Sequence, residues 1–413
     1  MYKNFGFSLD GKHKAHVFFI VFLYFLASYG FSFAYWNHLG TVFYAFIILI
    51  MVLFCVLKIH TFKNLNFVSI VLLLIFMPLL SSINSFAIYG QSIISSVRGL
   101  FTTSFVWILY FVLHYLKVKE GSILSALFYM GIFIVMVQII QQFTYPNAFF
   151  GVLNEEAMQE NGALEAAGRR NGILRFRISL IFMPFFFALF VLIKRRINLG
   201  LFLIFILLLS SIYLSLTRQI IASALLTLFA SFVMEKNKHF FVFVFFIVIS
   251  FSLVYFFSDD IFGDLIRQTQ EEANEDNIRV QAVICYWGES IRSLFTFLLG
   301  YGVSQEGAFA NHTELLRNLG LCYNDIGFIG MIWHSGIIYV ILSYYLLYRL
   351  FFSLKNSIPI YVRMYVFYVS LMSIMMFPFG DNSQHTFIWP ILLYICDLHI
   401  NKSPNALKLN SIL

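Results

Sequence analysis

Charge is the first thing this sequence is short of. Only 11% of its 413 residues are Asp, Glu, Lys or Arg, while 60% are hydrophobic; a soluble domain carries about 25% charged residues. The scarcity excludes a soluble fold and makes the bilayer the solvent that sets the architecture. Several signatures are missing as well. There is no Walker A sequence, no GxGxxG and no HExxH, so ATP-driven transport and membrane zinc proteolysis have no support. The four cysteines form no CxxC pair, and the ten histidines are scattered without a metal cluster. A formal net charge of +7 would suggest nucleic acid in a soluble chain. In a membrane chain positive-inside sorting accounts for most of it, so nucleic acid is set aside.

What is present is a series of apolar runs. Runs of about twenty residues span a bilayer, and this criterion predicts about twelve, near 17–35, 41–57, 66–85, 99–116, 122–143, 173–193, 199–214, 219–234, 239–257, 326–348, 359–377 and 385–399. The fold class expected is therefore an all-α polytopic membrane protein, a single transmembrane domain over 1–413. The abundant Phe reads as lipid-facing bulk. The first run has no cleavage pattern after it and is taken as a span. Under even alternation Lys3, Lys12, Lys14, Lys58, Lys63, Lys117, Lys119, Lys194, Lys236, Lys238, Lys355, Lys402 and Lys408 all fall on one side. The positive-inside rule makes that side the cytoplasm, with both termini there.

Lysine is absent from the other side, where only arginine remains: Arg98, Arg169, Arg170, Arg175, Arg177, Arg218, Arg267, Arg279, Arg292 and Arg317. Topology alone disfavours both cations outside, so retaining Arg points to the bidentate fork that binds phosphate or carboxylate. Arg267 and Arg317 stand among carboxylates and read as structural pairs. Arg98, Arg175, Arg177 and Arg218 stand at span ends with few acids nearby, where a charge is costly and functional.

The polar stretch 258–325 is expected to be the large external loop, with 144–172 a smaller one. Three patches carry candidate chemistry: SLTRQIIASALL around Arg218; IRVQAVICYWGESIRSLFTFLLGYGVSQEG, opened by Arg279; and YNDIGFIGMIWHSGII, with Asp325 at a span mouth. Gly327, Gly330 and Gly336 thin that last span, for helix packing or for close approach of a lipid. Asp325 reads equally as a general base and as an N-cap. Asp381 is a weaker alternative base, His312 in NHTELL is an acid/base candidate, and His334 reads as packed. Cys285 and Cys322 share the large loop, where an external location would permit a disulfide.

This order of patches resembles the family of O-antigen polymerases and O-antigen ligases, bacterial envelope glycosyltransferases. The match rests on Thr217-Arg218 in a mid-chain span, on Arg279 and Trp287 ahead of Gly300-Tyr301-Gly302, and on Asn324-Asp325 running into Gly-rich apolar sequence to Gly336. The resemblance implies a fold of GT-C type in the inner membrane. It implies a glycan donor on undecaprenyl diphosphate and the end sugar of another lipid-linked repeat unit as acceptor. No cofactor or metal is implied, and a chain-length regulator is left open as a partner. Negative charge on the leaving diphosphate then falls to Arg218 and Arg279, with Arg175, Arg177 and Arg98 in reserve, and the acceptor proton to Asp325. Ligases of the family carry a His-Asn pair about where this chain has Asn324-Asp325, which favours a polymerase. A ligase, or a flippase for lipid-linked oligosaccharide, is the alternative.

Overall fold

The computed structural model describes residues 11–27, 37–62, 65–101, 103–144, 169–170, 173–174, 181–194, 199–214, 218–234, 278–374, 376, 379 and 383–401. Its helices are α1 (Gly11–Ala27), α2 (Asn37–Leu57), α3 (Val68–Tyr89), α4 (Ile93–Leu100), α5 (Leu109–Leu116), α6 (Glu120–Thr144), α7 (Phe182–Lys194), α8 (Leu199–Leu214), α9 (Arg218–Met234), α10 (Ile278–Ser290), α11 (Leu294–Leu299), α12 (Gly307–Asn318), α13 (Gly327–Tyr348), α14 (Ile360–Met372) and α15 (Ser383–Ile400). Among the described residues the strands are one minimal antiparallel pair, β1 (Arg169–Arg170) with β2 (Ile173–Leu174).

Among the described residues, three segments are long and apolar enough to cross a membrane: Val68–Tyr89, Glu120–Ile140 and Gly327–Ser353. A fourth is α4 taken with Ser104–Leu116, bent by 55° at the break. Seven more of the twelve apolar runs coincide with shorter apolar helices, and the run 239–257 lies outside the described residues.

Packing explains why these helices assemble. Lipid tails are as apolar as Leu, so helix association rests on close fit and internal hydrogen bonds. The core is aromatic: Phe379 stacks on Trp389 with ring centroids 4.4 Å apart, and Phe182 on Tyr368 at 4.1 Å. In α7, Phe182, Phe185, Phe186 and Phe187 are all buried, which corrects the expectation of lipid-facing phenylalanine for that helix.

Two carboxylates are held near the ends of α3 and α13 that are formed by Val68 and Tyr348. Asp397 of α15 is fully buried and accepts from the Tyr110 hydroxyl, from Asn66 Nδ2 (2.7 Å) and from His114 Nε2 (3.1 Å). Glu120, which opens α6, is bonded by Tyr361 (2.8 Å) and His399 (3.0 Å). Charges taken out of water need such partners, and these staple α15 to α5, α6, α14 and the start of α3.

Candidate functional site

The site is built at the other end of α3 and α13, by the segment 278–325. Residues 258–277 lie outside the described part of the large loop. From Ser293 the chain does not stay above the bundle. α11 runs down between α3 and α13, and Gly300-Tyr301-Gly302 turns it back. Gly336 lies nine residues into α13, roughly 13 Å along it at 1.5 Å per residue. A side chain on Gly300 would strike the backbone of His334 and Gly336 at 2.6 Å, and one on Gly336 would strike the Leu298 carbonyl at 2.1 Å. From the α3 side, Ser81 bonds the Leu299 carbonyl. Ser81 is eight residues before Tyr89, roughly 12 Å down that helix. Two spans thus give the same depth for the turn.

A backbone taken to that depth must find hydrogen bonds within the protein. α13 supplies acceptors by breaking: Gly336 has φ 81° and ψ 163°, so the carbonyls of Trp333 and His334 lose their helical partners. They accept instead from the N–H of Tyr301 (2.7 Å) and of Gly302 (2.8 Å). α3 supplies donors. Asn84 Nδ2 donates to the carbonyls of Gly300 (2.8 Å) and Phe295 (3.1 Å), and Ser85 donates to Tyr301. Past the end of α3, Gln91 Nε2 donates to Val303 O (2.8 Å), while its Oε1 accepts from the N–H of Gln305 (2.8 Å) and Glu306 (3.2 Å). The polar residues of this apolar span read the backbone of 299–306 one after another.

Above the turn, α10, α12 and the first half of α13 enclose an aromatic bowl filled by its own rings: Trp333, Tyr286, Tyr301 and Phe309 are buried, while Tyr89, Tyr323 and His312 are half-buried. Its floor is Trp333, with Tyr286 at 5.0 Å, Tyr323 at 5.1 Å, Tyr301 at 5.5 Å and Phe309 at 5.8 Å between ring centroids. Tyr89 stacks on Phe309 at 4.5 Å and on His312 at 5.7 Å. Glu289 organises the polar part. Its Oε2 accepts from the Trp333 indole N–H (2.7 Å), its Oε1 pairs with His312 Nε2 (2.9 Å), and its backbone carbonyl accepts from the Tyr301 hydroxyl (3.0 Å). A carboxylate only accepts, so Nε2 carries the hydrogen and Nδ1 of His312 is left as a proton acceptor. The arrangement is a carboxylate-oriented imidazole, 30% exposed at its side chain, beside a stack of aromatic faces.

The structure sorts the expected site residues into three groups. Arg175, Arg177 and Asp381 lie outside the described residues. Arg98 is exposed on the last turn of α4, beside Gly99, which packs on Val303 and Gln305; Arg279 is exposed on the first turn of α10. Arg218 and Asp325 belong to elements that meet. Arg218 opens α9, whose next residue, Gln219, bonds the Met372 carbonyl (3.0 Å). Asp325 ends the turn Tyr323–Asp325, and Gly327 after it packs on the carbonyls of Ser373 and Ile374. Both elements therefore meet the turn that closes α14.

The structure chooses between the readings left open at three places. Asp325 is not the N-cap of α13; that place is taken by Ile326, without a side-chain bond. Gly327, Gly330 and Gly336 receive the chain's own backbone, so their smallness serves packing. Cys285 and Cys322 are free thiols; burial pushes both up, and both act on Tyr286, yet no bond joins them.

Glu289 was not singled out from the sequence. One carboxylate in WGES has no local signal, and its role comes from residues 23 and 44 positions away. No protein-family model and no curated protein matches the chain.

Proposed function

We propose that this chain is a membrane glycosyltransferase of surface-polysaccharide synthesis, joining repeat units carried on undecaprenyl diphosphate at the external face of the bacterial inner membrane. About twelve spans with both termini cytoplasmic suit that role. The observation that carries the reading is the Glu289–His312 pair beside the aromatic bowl, at the spans' outer end. Sugars stack their apolar C–H faces on aromatic rings, for which half-buried Tyr89, stacked on His312, is accessible, and the acceptor hydroxyl needs a base within reach. His312 Nδ1 takes that proton as the hydroxyl oxygen attacks the donor's anomeric carbon. The bond from that carbon to the phosphate oxygen breaks, and undecaprenyl diphosphate leaves with the electron pair. Glu289 holds the imidazole in the required tautomer and stabilises the imidazolium that forms. Arg218, Arg279 and Arg98, with Arg175 and Arg177, answer the charge on the leaving diphosphate. Asp325 is the rival base.

The test is transfer by purified protein in vesicles holding lipid-linked repeat units. His312→Gln and Glu289→Gln are expected to lower turnover about 10²–10⁴-fold, while Asp325→Asn stays near wild type. Arg218→Lys is expected to fail nearly as badly as Arg218→Ala, because Lys lacks the fork. Full activity in His312→Gln, with loss in Asp325→Asn, would return the base to Asp325.

One observation favours a second reading. No histidine stands beside Asn324-Asp325 in the sequence, but His312 shares Glu289 with Trp333, against which Tyr323 packs, so an O-antigen ligase is the second reading. The products decide: longer lipid-linked glycan marks a polymerase, and glycan moved to lipid A-core marks a ligase.

A further inference from the structure

α10 has two opposite faces. Ala282, Tyr286 and Ser290 are buried toward α13. On the other side, at 100° per residue, Val280, Ile284 and Trp287 fall within an arc of roughly 60°. The apolar side chains continue past the helix end as Ile291, Leu294 and Phe295. All six are open, from 40% for Trp287 to 69% for Leu294 and Phe295. A contiguous apolar stripe on a soluble loop marks a contact surface.

Depth says what covers it. α10 packs against the part of α13 that holds Trp333, which is six residues, roughly 9 Å, into that span. The carbonyl of Phe295 is bonded by Asn84 of α3, five residues before that helix ends. On α3 itself, Phe76, Leu80, Ile83 and Phe86 form a stripe open to the same extent, 42–54%, at the same level as the turn. The ends of the α10 stripe carry Arg279 and Arg292, and the one carboxylate of 278–295, Glu289, is turned inward to His312 and Trp333. Trp within an apolar stripe and Arg at its margins are the composition of a membrane interface.

We infer that the outer face of α10 and α11 lies in the headgroup–acyl boundary of the leaflet at the Tyr89 and Gly327 ends of the spans, with bilayer lipid as its occupant. The segment is then no water-exposed loop. The inference concerns the membrane contact and stands apart from the reaction catalysed.

The test places a nitroxide on Ile284→Cys, in full-length protein whose four native cysteines are serine, in vesicles of phosphatidylethanolamine and phosphatidylglycerol. Labels on Phe76→Cys and Glu314→Cys mark lipid and water. The ratio of oxygen to nickel-chelate accessibility at Ile284 is expected several-fold above that at Glu314 and nearer that at Phe76. A ratio equal to that at Glu314 overturns the inference. So does shielding from both reagents, which would mean that protein covers the stripe. A second measurement keeps the native cysteines: chain-brominated lipid is expected to quench the unmodified protein more than Trp287→Phe, and equal quenching overturns the inference.

Discussion

At the scale of single residues, polar side chains in this protein are placed where backbone or a carboxylate needs an answer. Glu306 shows this with a measurable consequence. Its Oε1 accepts from the Ser92 N–H (3.1 Å) at the start of α4, where unpaired N–H groups favour an anion. Bonds from Ser95 and Ser92 hold its carboxyl below the usual range. A depressed folded pKa stabilises the fold above the carboxyl's unfolded pKa, and that contribution is lost as pH falls through the folded value. Melting of wild type against Glu306→Gln should therefore differ at neutral pH, with wild type higher. The two should converge once pH drops below the folded pKa. A constant difference down to the acid limit would mean that the carboxylate charge is not what matters.

At the scale of elements, the break in α13 and the descent of α11 are one device. A straight α13 would keep the carbonyls of Trp333 and His334 for itself and leave the N–H of Tyr301 and Gly302 without acceptors, at about 1–3 kcal/mol for each buried group. Gly300 and Gly336 permit the crossing, both at positive φ with backbone in the way of any Cβ. Gly300→Ala or Gly336→Ala should cost well beyond 1 kcal/mol, read as a lower unfolding temperature in detergent. Gly90→Ala is the control: its φ is also positive, at +69°, but nothing lies within 4 Å of the added carbon. It should cost only about 1 kcal/mol.

At the scale of the whole molecule, the two ends of the bundle divide the work. One end holds the bowl with Glu289 and His312; the other holds the Asp397 and Glu120 staples. Removing one partner of buried Asp397, by Asn66→Ala or His114→Ala, should lower stability by about 1–3 kcal/mol. Turnover at the distant bowl should be unchanged when measured below the melting transition. A fall in turnover without a fall in melting temperature would tie that end to the chemistry.

How much of this was legible in the sequence follows from what kind of force acts. Hydropathy is local, so eleven of the twelve apolar runs coincide with described apolar helices. Glycine is local in type as well: Gly300, Gly302 and Gly336 stood out, although not the reason for them. That reason is steric and non-local, since Gly300 is small because Gly336 is beside it. The polar residues of α3 drew no attention, because Ser81, Asn84 and Ser85 look like ordinary span polarity until the chain at 299–301 lies against them. The bowl is the extreme case. Asp325, at a span mouth, and His312, in NHTELL, carry local signals; Glu289 carries none, and it meets His312 only when α10 and α12 close over Trp333. Composition by itself determined that the chain folds for a bilayer, because transfer of apolar surface needs no partner in particular. Only the tertiary structure decided that the charged stretch turns back between two spans, because a hydrogen bond needs both of its ends.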